Sequence, residues 1–85
     1  MYDPERALQT ERDLIADQLH LVRVKQRCGA NHPWTQRIEF LVNIERTIVQ
    51  KENDLDNCFD DSQCQIIEAT IKELIDIAKD VLEKM

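Results

Sequence analysis

One glycine and two prolines in 85 residues leave this chain almost no means of turning sharply. A sandwich or barrel needs many tight turns built on such residues, so an all-β fold is excluded. With 42% hydrophobic and 33% charged residues, the remaining option is a small all-α fold. The length allows one domain at most, residues 1–85, and sits just above the size at which a single core becomes thin.

No stretch approaches the roughly 18 apolar residues of a membrane span. The opening Tyr2-Asp3-Pro4-Glu5 lacks the basic and apolar regions of a signal peptide, so the expectation is a cytoplasmic protein without membrane contact. Three cysteines, Cys28, Cys58 and Cys64, form no C-x-x-C pair, and His20 and His32 are the only histidines. Neither a disulfide framework nor a zinc site is expected, and no motif calls for a cofactor. The net charge of −6 argues against a general nucleic-acid or membrane-surface binder. Residues 1–50 carry seven basic and seven acidic side chains, so the whole excess lies in residues 51–85, with four basic and ten acidic.

Asp3-Pro4-Glu5 reads as a helix start: Asp3 can accept from free amides, Pro4 suits the first helical position and Glu5 favours the positive end of the dipole. The first helix runs over about 3–27. Its apolar residues form two adjacent columns of period seven, Leu8-Ile15-Val22 and Ala7-Leu14-Leu21, with Leu19 beside them, a stripe wide enough to touch two neighbours. Gly29 marks its end, and Arg23, Lys25 and Arg27 suit the negative end of the dipole.

Pro33 opens a second helix over about 33–57, with the seam Trp34, Ile38, Leu41, Ile44, Ile48, Leu55 and Cys58, interrupted by Lys51. No Gly or Pro separates it from the third helix, over about 62–85, whose seam Cys64, Ile67, Ile71, Leu74, Ala78, Val81 and Met85 alternates steps of three and four. Register places the boundary near Ser62, which has capping-box spacing to Gln65 and is preceded by the favourable charges of Asp60 and Asp61. Three helices of about 24 residues, about 36 Å each, joined by short turns predict an antiparallel, up-down-up three-helix bundle. Dimerisation could complete so small a core. Val42 and Val49, off the main seam of the second helix, form a candidate contact strip, and Ile66 and Ile77 on the third could form another.

Two regions carry concentrated charge. No acidic residue occurs between Gln18 and Ile38, where Arg23, Lys25, Arg27 and Arg37 surround Trp34 and the two histidines. Basic groups beside an indole suit phosphate contact with base stacking, although cations at a helix C-terminus and a Trp closing the end of the core explain the same residues. At the opposite pole stand Asp54, Asp56, Asp60 and Asp61. They do not make a calcium loop, because Phe59 and Gln65 occupy the positions that need Gly and Glu. Asp54 and Asp56 lie at the unfavourable end of a helix dipole, which hints at a use outside the fold, such as docking a basic surface.

No nucleophile and base are set up for catalysis. Cys28 and His32 are the nearest pair, and a helix C-terminus raises rather than lowers a thiol pKa. The expectation is therefore a non-enzymatic interaction protein, an adaptor, chaperone subunit or inhibitor, that binds a partner protein through Val42, Val49, Asp54, Asp56, Asp60 and Asp61. The alternative is nucleic-acid contact through Arg23, Lys25, Arg27, Trp34 and Arg37.

Overall fold

A computed structural model describes residues 2–84 and contains three helices, α1 (Pro4–Cys28), α2 (Pro33–Asp56) and α3 (Asp61–Glu83), with no strand among the described residues. They form an all-α, up-down-up bundle of 46 × 19 × 17 Å. Each helix boundary falls close to its expected place; Met85, the expected last member of the α3 seam, lies outside the described residues.

Local chemistry explains the ends. Asp3 Oδ1 accepts from the amides of Glu5 and Arg6, and Pro4 occupies the first helical position. Gly29 adopts φ 87°, a region in which side chains are strained, and its amide donates to Lys25 O at 3.0 Å. Thr35, fully buried, donates its hydroxyl to Gly29 O at 2.7 Å and so ties the turn to α2. His32 caps α2 by accepting from the Trp34 amide at Nδ1.

At the second turn the expected capping box does not form. Asp60 is the N-cap, its Oδ1 accepting from the Ser62 amide at 2.9 Å, and α3 begins at Asp61. Asp fills that role as readily as Ser, and starting one residue earlier adds a hydrogen bond from the Cys64 amide to Asp60 O.

Helix α2 lies between the other two and needs two apolar faces. Leu41, Ile44, Ile48 and Leu55 pack with Ile71 and Ala78 of α3. Ile38 and Val42 pack with Val24 of α1, flanked by Leu14, Leu21 and Trp34. Val42 is only 1% exposed and Val49 is half-buried in a cleft it shares with Ala7 and Leu8 of α1. Val42 is thus covered by α1 and offers no surface to a partner, whereas Val49 remains partly open in that cleft, so the two do not form one exposed strip. Conversely, of the two α1 columns only the one through Leu14 and Leu21 enters the core. Leu8, Ile15, Leu19 and Val22 stay 48 to 60% exposed.

Candidate functional site

A column of α2 spaced by seven residues, Ile38-Glu45-Glu52, faces the space between α1 and α3. Both glutamates are buried, which is tolerable only where the charge is paired or neutralised. Glu52 is paired. Arg6 Nε donates to Glu52 Oε1 at 2.7 Å and Nη2 to Glu52 Oε2 at 3.3 Å, while Nη1 and Nη2 donate to the two carboxylate oxygens of Glu68. One guanidinium from α1 thereby joins α2 to α3, with its planar fork satisfying two carboxylates. Those hydrogen bonds to Arg6 hold the Glu68 carboxyl down at about 2.

Seven residues along, the arrangement changes sign. The α1 position one heptad after Arg6 is Asp13, and the α3 position one heptad after Glu68 is Ile75. Glu45, 6% exposed, therefore meets an acid and a hydrocarbon where Glu52 met a cation, and its Oε1 has no hydrogen-bond partner among the described residues. Burial pushes its carboxyl up to about 9, and a hydrogen bond with Asp17 together with the charges of Asp17 and Asp13 act in the same direction. Near neutral pH the group holds its proton.

Glu45 lines a groove of about 360 Å³ between the outer helices. Leu41 and Ile48 supply the rest of its floor, Ile75, Ala78 and Leu82 form the α3 wall, and Gln9, Thr10 and Asp13 form the α1 wall. Arg6 closes one end and Lys79 stands on the rim. The floor and the α3 wall are mostly apolar, the α1 wall is polar, and one carboxyl oxygen in the floor has no hydrogen-bond partner among the described residues.

The residues singled out by sequence fall elsewhere. Asp54, Asp56, Asp60 and Asp61 are all exposed at the α2–α3 end, where Asp56 and Asp61 line a wider cleft of about 670 Å³ together with Cys58 and Cys64; Asp60 is engaged as a cap. The thiol of Cys64 is pushed up to about 11 by its contact with Cys58 and by burial. Arg23, Lys25, Arg27 and Arg37 are exposed. Lys25 and Arg27 lie in the last turn of α1, and Arg37 donates to Lys84 O at the end of α3. Trp34 is half-buried against the Val24-Ile38-Val42 cluster, so its ring belongs to the core.

Sequence reasoning passed over Arg6, Glu45 and Glu52. The signal was present: Ile38, Leu41, Glu45, Ile48, Glu52 and Leu55 follow steps of three and four without a break. Glutamates on such a seam are buried if the seam is covered on both sides. Among the described residues no group of three or more His, Cys, Asp or Glu side chains could hold a metal ion, and no helix is long and apolar enough to cross a membrane. Comparison with protein-family models, with curated proteins and with solved structures gives no match to this chain.

Proposed function

We propose that this chain is a small non-enzymatic interaction protein that receives a helix of a partner protein in the groove between α1 and α3. The observation that carries this reading is Glu45, a buried carboxyl with an unpartnered oxygen in an apolar floor. A helix with an apolar face fits such a channel, and a Lys or Arg within that face supplies at Glu45 the cation that Arg6 supplies at Glu52. The acidic balance of the chain favours a basic partner and speeds its encounter. Nucleic-acid contact through the basic pole is the weaker reading, because Trp34 is packed into the core and Arg37 is held at the end of α3.

The test uses two synthetic amphipathic peptides of roughly five helical turns, identical except for Lys or norleucine at the centre of the apolar face. The Lys peptide is expected to bind at least tenfold more tightly. Its advantage should grow from pH 6 to pH 9, because Glu45 must lose its proton to pair with the ammonium. The charges around it are Asp13 and Asp17 on α1, Lys79 on the α3 rim and Arg6 at the end of the groove; Arg6 is bonded to Glu52 and Glu68, and Lys79 forms no ion pair with Glu45 among the described residues. Glu45→Leu should abolish the difference between peptides while preserving the fold. Equal binding of both peptides would remove the cation from the argument, and binding of neither would remove the groove.

A further inference from the structure

The outer face of α1 repeats the pattern of a helix that expects a partner. Leu8, Arg12, Ile15, Leu19 and Val22 follow one another by four, three, four and three residues, and all five are exposed. From Arg12 to Val22 this seam lies on the side of α1 away from α2 and stays exposed among the described residues, while Leu8 at its start borders the cleft shared with Val49 of α2. Steps of this kind make a left-handed coiled-coil seam. Glu11, Gln18 and Lys25 flank it on one side and Ala16 and Arg23 on the other.

We infer that the seam pairs with the same seam of a second copy, antiparallel about a two-fold axis near the middle of α1. In this register Ile15 faces the partner's Leu19, and Leu19 faces the partner's Ile15. Glu11 then meets Lys25 of the partner subunit, and Lys25 meets Glu11 of the partner subunit, so both ends of the contact are charge-matched. Ala16 is small and sits near the axis, where the helices approach most closely. Val22 rests on the aliphatic stem of the partner's Arg12, whose guanidinium reaches solvent at the edge. A parallel pairing would instead stack Arg12 on the partner's Arg12 within the contact and leave Lys25 without an acid, so charge selects the antiparallel arrangement. A two-fold contact of this kind is closed and stops at the dimer. It uses the side of α1 opposite the Glu45 groove, so both surfaces can be occupied together and either can fail alone.

Sedimentation equilibrium of the full chain with reductant, up to about 100 µM at physiological salt, should give twice the 10.0 kDa mass of one chain. Ile15→Asp should give a monomer with unchanged circular dichroism, since Ile15 is 60% exposed in the single chain. Lys25→Glu should weaken the dimer about tenfold, and Glu11→Lys together with Lys25→Glu should restore it. A monomer throughout the concentration range overturns the inference. So does a dimer that Ile15→Asp leaves intact, or one that the double charge exchange does not restore.

Discussion

Glu52 and Glu45 stand seven residues apart on one column of α2, both buried, and among the described residues a cation meets only Glu52. Helix α1 determines the difference: its residues at the two levels are Arg6 and Asp13. The same bundle thus contains one satisfied and one unsatisfied copy of a single arrangement, and the two should respond oppositely to mutation.

Arg6→Ala should destabilise the chain by about 3 kcal/mol, because it strands the buried Glu52 carboxylate and releases Glu68. Urea unfolding followed by circular dichroism measures it. A loss below about 1 kcal/mol would mean that the Glu52 carboxylate is satisfied by another group once Arg6 is gone.

Glu45→Leu should stabilise the chain by about 1 kcal/mol or more at pH 8, since a well-packed hydrocarbon replaces a buried acid with an unpartnered oxygen. The same urea experiment at that pH decides it, and a destabilised variant would show that Glu45 is held by contacts its burial does not reveal.

The pH dependence has two limbs of opposite sign. Glu45 binds its proton more tightly folded than unfolded, so its contribution is complete below about 4.5 and is lost as pH rises toward about 9. Glu68 binds its proton less tightly when folded, so its contribution is present above about 4.5 and is lost as pH falls toward about 2. Thermal melts should therefore show the highest Tm in mildly acid solution. Glu45→Gln should flatten the alkaline limb and leave the acid limb in place; an unchanged alkaline limb would assign it to another group.

Val42→Asp should unfold the chain, with a cost of about 3 kcal/mol or more for an unpaired charge at a 1% exposed position. Leu19→Asp, at a position 58% exposed, should alter the stability of the single chain by no more than about 0.5 kcal/mol. Far-ultraviolet circular dichroism during urea titration at low protein concentration separates them.

Asp60→Ala should cost about 1 kcal/mol through loss of the α3 cap, while Ser62→Ala should be nearly neutral because the Ser62 amide donates but its side chain does not cap. Equal costs would restore the capping box that the sequence suggests.

The helices and their ends were legible in the sequence because their causes are local. Asp3-Pro4 starts α1, Gly29 supplies the positive φ that ends it, and Pro33 starts α2, each acting within a turn of its own position. Even the unpunctuated boundary between α2 and α3 could be placed by register to within a residue, although the cap there is Asp60 and not Ser62.

Which side of a helix becomes interior is not a local property. The period of seven in Leu8-Ile15-Val22 and in Ala7-Leu14-Leu21 is the same, and only the position of α2 decides that Leu14 and Leu21 are covered while Ile15 is open. Likewise Val42 looks like a spare strip until α1 is placed over it, and Glu45 looks like a surface charge until α1 and α3 flank it. The sequence by itself determined three amphipathic helices, their turns and their up-down-up order, because hydrogen bonding at the ends and apolar spacing act over a few residues. Only the tertiary structure decided that the middle helix is covered from two sides, which buries Glu45 and Glu52, gives one of them Arg6 and leaves the other at the floor of a groove.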